Sequence, residues 1–96
     1  MAKAYWVSCY HTVTDAGKLS AYARLAGPAI EASGGRFLAR SIATKAYEAG
    51  LLERTVLIEF ESLEKAIAAH ATPEYQAALA LLEGGVVRDL RIVGGV

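Results

Sequence analysis

Two charged residues stand on otherwise apolar strand-like stretches. Arg40 lies between Leu38 and Ile42, and Glu59 lies between Ile58 and Phe60. An arginine can hold an anionic group through its planar fork of N–H donors, and a neighbouring carboxylate can orient it or serve as a base. The plainer reading is a structural ion pair, which sets register and adds little stability. His11 and His70 are the two histidines, and each can move a proton near neutral pH. A surface or helix-end histidine is the plainer reading for both. Cys9 shares a strand face with His11 but brings the count to two ligands, too few for zinc. As a nucleophile it would need an activating base and access, so it reads as a small buried hydrophobe. Tyr5, Trp6, Tyr22 and Tyr75 join apolar bodies to one polar handle each, which suits the wall of a pocket for an aromatic or phenolic ligand. The same spacing also suits an ordinary core. His11 and Glu59 are thus the candidate catalytic residues, and Arg40, Tyr22, His70 and Tyr75 the candidate substrate-binding ones. Gly84-Gly85 and Gly94-Gly95 lack the surroundings of a phosphate loop, so no cofactor and no metal are expected.

These residues must be positioned by a small set of elements. Ala4 to Val13 is rich in aromatic and β-branched residues and predicts a strand. Thr14-Asp15 offers an N-cap, after which Leu19, Tyr22, Ala23, Ala26 and Ile30 recur at helical spacing. Gly27-Pro28 predicts an interruption, because Pro28 has no N–H and crowds the carbonyl of Arg24. Gly34 suits a left-handed C-cap. Arg36 to Tyr47 and Thr55 to Phe60 predict two further strands about a turn at Ala49-Gly50. Ser62 caps a second helix with Leu63, Ala66, Ile67 and His70 toward one side. Thr72 followed by Pro73 starts a fresh helical piece that turns Tyr75, Ala78, Leu79 and Leu82 inward and stops at Gly84-Gly85. Val86 to Val93 is the last strand. The order βαββαβ predicts an α+β, ferredoxin-like domain spanning residues 1–96, with a four-stranded antiparallel sheet. Right-handed crossovers put the helices on one face.

A turn at Ala49-Gly50 sets Arg40 opposite Glu59, Ala39 opposite Phe60 and Ser41 opposite Ile58. Phe37, Ala39, Val56, Ile58 and Phe60 then face the helices. Leu38, Arg40, Ile42, Leu57 and Glu59 form the other face, which is too apolar to be left in water. A second copy packed sheet to sheet would cover it, so a symmetric homodimer is expected. Composition agrees. Among 96 residues 54% are hydrophobic and mean hydropathy is +0.30, an apolar excess that a small domain cannot bury alone. Ten basic and ten acidic residues balance, which disfavours a nucleic-acid partner, and no polybasic run suits a membrane surface. One cysteine, no signal-peptide pattern and no spanning apolar run lead to the expectation of a cytoplasmic protein.

Four stretches carry a further signal. They are Ala26-Gly27-Pro28-Ala29-Ile30, then Gly34-Gly35-Arg36-Phe37-Leu38-Ala39-Arg40, then Ile58-Glu59-Phe60 with Ser62, then Pro73-Glu74-Tyr75-Gln76. In this order and spacing they resemble the bacterial domain-of-unknown-function family DUF1330 over essentially the whole chain, and Tyr5-Trp6 and Asp89-Leu90 agree. The resemblance implies a homodimer of the dimeric α/β-barrel superfamily. Relatives there include cofactor-independent monooxygenases, muconolactone-type isomerases and haem-binding enzymes. The family has no established reaction, so no catalytic residue carries over. This chain departs from it at Ser41-Ile42, where two glycines usually follow the arginine, and at His70, where an aromatic residue is common.

The expected function is a small-molecule-binding homodimer. One form of it is a cofactor-independent enzyme doing isomerase- or monooxygenase-like acid–base chemistry on a small aromatic or anionic substrate. The alternative is a non-catalytic interaction dimer, with a barrel filled by its own side chains.

Overall fold

Period-two burial organises the structure, a computed structural model that describes residues 2–96. Strand β1 (Ala4–Val13) buries Ala4, Trp6, Ser8 and Tyr10 and leaves the residues between them half-buried, the mark of a sheet covered more deeply on one face. Helix α1 (Ala16–Ala32), strands β2 (Arg36–Ile42) and β3 (Arg54–Phe60), helices α2 (Leu63–His70) and α3 (Pro73–Leu82), and strand β4 (Val86–Gly94) follow. The sheet order is β2-β3-β1-β4, every pair antiparallel. This is the expected ferredoxin-like α+β fold, with its second helix divided at Thr72-Pro73. Cα extents of 36 × 32 × 16 Å describe a slab one helix layer and one sheet layer thick. No helix among the described residues is long and apolar enough to cross a membrane.

Side-chain caps start each helix. Asp15 accepts from the Lys18 N–H at 3.0 Å, Ser62 from Lys65 at 3.2 Å and Thr72 from Tyr75 at 3.2 Å, satisfying donors that the first turn leaves over. At the other end of α1, Gly34 N–H donates to Glu31 and Gly35 N–H to Ile30, with Gly34 at φ +90°. That is the paired closure of a Schellman stop. Helix α1 runs through Pro28 rather than breaking there. Pro28 and Arg24 are both exposed, so the carbonyl that loses its partner lies on the wet side.

Trp6, Phe60 and Tyr75 anchor the core. The Trp6 indole N–H donates to the Ala66 carbonyl at 2.8 Å, and its ring lies 5.0 Å from Tyr75 and 5.3 Å from Phe60. The indole fills the space beneath α2, so that helix turns its small residues Ala66 and Ala69 inward. Leu63 and Ile67, expected on one side with Ala66, do not share its burial and are about half exposed at 47% and 54%.

Strand β2 corrects the expected register. It ends at Ile42, not Tyr47, and residues 43–53 form a loop closed by Ala43 N–H donating to Glu53 at 3.0 Å. The longer loop slides β2 three places, so Arg40 pairs with Val56 instead of Glu59. An odd slip exchanges the faces. An irregularity at Leu38 then changes the pairing from Ala39↔Leu57 to Phe37↔Ile58, a β-bulge that returns Phe37 to the helix side. Arg40 therefore joins the helix side, and Ala39 the open one.

Candidate functional site

Three strands end their inward apolar stripes on an arginine. In β3, Arg54 precedes Val56, Ile58 and Phe60; in β4, Arg88 precedes Leu90 and Ile92; in β2, the slipped register turns Arg40 inward. Tyr10 of β1 pairs with Arg88, and Arg54 lies 5.6 Å from the Tyr10 ring. Helix α1 passes over this end of the sheet with Tyr22 and the small residues Ala23, Ala26 and Gly27. Small residues opposite large polar ones leave a pocket of about 30 Å³, lined also by Trp6, Ser8 and Phe37.

Arg88 is the centre of its polar wall. One terminal nitrogen donates to Tyr10 Oη at 3.1 Å and Ser8 Oγ at 3.3 Å. The other donates to Tyr75 Oη at 3.1 Å. Both lie 3.4 Å from Tyr22 Oη, which is 2.8 Å from Tyr75 Oη. The guanidinium also sits 5.0 Å from the Tyr22 ring and 5.3 Å from the Tyr10 ring, within cation–π range. Burial opposes the charge of Arg88, but the surrounding phenols Tyr22, Tyr10 and Tyr75 outweigh it and raise its pKa. Burial, with Tyr75 beside it, pushes the Tyr22 hydroxyl above its ordinary value, so Tyr22 offers a hydrogen bond and not a base at neutral pH. Arg40, Arg54 and Arg88 make no ion pair among the described residues. Arg40 is exposed at the rim, its guanidinium 4.3 Å from the Phe37 ring.

The other expected residues lie elsewhere. Glu59 is on the open face, where it pairs with Arg36 at 3.6 Å; the expected Arg40–Glu59 pair does not form. His11 is also on the open face, with Nε2 2.7 Å from Asp89 Oδ2, and Arg91 Nε reaches the other Asp89 oxygen at 3.2 Å. These two residues border a half-open cleft of about 660 Å³ shared with Cys9, Thr55 and the 43–53 loop. Tyr75 stands behind the inner pocket, bonded to Tyr22 and Arg88. His70 packs its ring 5.1 Å from Tyr75 and 5.8 Å from Trp6 and borders neither cavity. No cluster of three or more metal-ligating residues occurs among the described residues.

Of the residues expected from the sequence, Arg40 and Tyr22 line this pocket, and Arg54, Arg88, Tyr10 and Ser8, which line it with them, were not singled out. The missed signal was alternation. Ser8 and Tyr10 continue the inward set of Trp6, and Arg88 the set of Leu90 and Ile92, so a charge fell at a position the pattern reserves for the core.

Comparison with known proteins agrees with this architecture. No curated protein matches the sequence significantly. A protein of unknown function from Rhodopseudomonas palustris superposes with a TM-score of 0.76 at 15% identity, covering 99% of this chain and 83% of its own. A dimeric ferredoxin-like protein of unknown function from Thermobifida fusca gives 0.65 at 18% identity, covering 97% and 91%. A proposed antibiotic biosynthesis monooxygenase from Nitrosomonas europaea gives 0.62 at 17% identity, covering 100% and 99%. At such identities the likeness is one of fold. The family model described as "Domain of unknown function (DUF1330)" matches residues 3–96, and the chain belongs to that family.

Proposed function

We propose that this chain is a homodimeric small-molecule-binding protein whose ligand, a small anion with an apolar body, sits between sheet and helices. The observation that carries this reading is Arg88, half-buried and held by four hydroxyl groups, with no carboxylate against it among the described residues. Buried cations are normally neutralised by a partner. A cation solvated only by neutral hydroxyls keeps its charge for an incoming anion, and Arg40 and Arg54 add to the same field. The homodimer is supported by the face without helices, which carries Val7, Leu57 and the exposed Val93. The Thermobifida fusca protein of the same fold is described as dimeric.

The fold likeness to a proposed monooxygenase keeps cofactor-independent catalysis within this reading. His11 and Glu59 are across the sheet from the pocket; His11 would transfer protons only to a ligand in the open-face cleft, and Glu59, paired with Arg36, borders neither cavity. Inside the pocket the polar groups are phenols, a serine hydroxyl and guanidinia, which suit binding and charge stabilisation better than proton abstraction. The rival reading, a non-catalytic interaction dimer, is favoured by the small size of the pocket, which its own side chains nearly fill. Native mass spectrometry of freshly purified protein separates the two. A dimer carrying a small adduct that is lost in Arg88→Gln supports the binding reading. A clean dimer supports the interaction reading, and a monomer removes the dimer from both.

A further inference from the structure

We infer that the anionic group taken by this pocket is a carboxylate seated on Arg54, and that tetrahedral phosphates are excluded; this rests on the reading that the pocket binds a small anion. The three arginines are not equivalent. Arg88 already directs its terminal N–H groups to Ser8, Tyr10, Tyr22 and Tyr75. Arg40 lies at the exposed rim over Phe37. Arg54 alone holds a buried Nε with no hydrogen-bond partner among the described residues. Native proteins seldom keep a buried donor unpaired. Nε and one terminal nitrogen form the flat edge of a guanidinium, and that edge matches the two oxygens of a carboxylate.

Donor number points the same way. One free guanidinium edge offers two N–H groups, which satisfy the two oxygens of a carboxylate and leave further oxygens of a phosphate unpaired. The rest of the ligand has a way out past Gly27, where an added Cβ would meet nothing within 4 Å. An apolar body suits that exit, because Ala23 and Phe37 also line the pocket.

Trp6 is the only tryptophan and lines the pocket, so its fluorescence reports occupancy without a label. The full chain would be titrated with benzoate and hexanoate, with benzamide as a neutral isostere of benzoate, and with inorganic phosphate. A saturable change with at least one carboxylate is expected, with benzamide and phosphate weaker by about tenfold or more. Arg54→Lys keeps the charge but loses the fork, and should weaken the carboxylate by about tenfold while leaving benzamide unchanged. Arg54→Gln is the second variant should the lysine disturb folding, which circular dichroism would reveal. Phosphate binding as tightly as the carboxylates overturns the inference. So does an unchanged carboxylate affinity in a folded Arg54 variant, although the small-anion reading then survives if Arg88→Gln still abolishes binding. If no probe binds while the purified dimer carries an Arg88-dependent adduct, the carboxylate assignment falls and the binding reading stands.

Discussion

Asp89 sits between a histidine and an arginine on the open face, with one carboxylate oxygen toward each. The hydrogen bond from His11, with Arg91 beside it, holds this carboxyl below the usual range against the opposing effect of desolvation. A depressed carboxylate pKa contributes stability above its unfolded value and loses it as the pH falls through the folded one. Asp89→Asn should therefore be less stable than the wild type near neutrality, and the difference should shrink as acid protonates the wild-type carboxylate. Thermal midpoints of the two proteins, measured from roughly pH 3 to pH 7, check this. A gap that stays constant with pH would mean that the contacts of Asp89 are not linked to its charge.

At the scale of elements, the junction between α1 and β2 is closely packed around Gly35. A Cβ on Gly35 would lie 2.5 Å from Ile30 Cγ2 and 2.9 Å from Phe60 Cζ. Gly35→Ala should thus cost about 1–3 kcal/mol through overpacking. Gly27→Ala has open space around it and should raise stability by about 1 kcal/mol through helix propensity. Denaturant midpoints of the two variants should move in opposite directions. Such joints were legible in the sequence because they are local: Asp15, Ser62, Thr72 and Gly34 each cap the helix their residue type predicts. The β2–β3 pairing was not legible, because Ala49-Gly50 suggested a tight turn and nothing local announced a loop from 43 to 53 or a bulge at Leu38. That slip of three places decided the site. It separated Arg40 from Glu59 and brought Arg40 into the pocket with Arg54 and Arg88, which strand alternation alone could have put on the inner face.

For the molecule as a whole, the slab leaves one sheet face without helices, and Leu57 lies near its middle, half-buried between Val7 and Ala39. In the proposed homodimer, Leu57→Glu should give a monomer, because a carboxylate at the centre of a sheet-to-sheet contact would be buried without a partner. Light scattering after size exclusion would read the mass, and an unchanged Trp6 emission spectrum would confirm that the inner core is intact. A variant that remains dimeric would move the contact to another surface. The balance of charge has a different consequence. Ten basic and ten acidic residues cancel, while three arginines without ion pairs among the described residues gather at one pocket. Seen from afar the molecule carries no net charge, so under the proposed function an anion would be drawn in only within a screening length of about 8 Å from the mouth. Encounter would then be set by ordinary diffusion, and the choice among ligands would be made at the threshold of the pocket, after arrival.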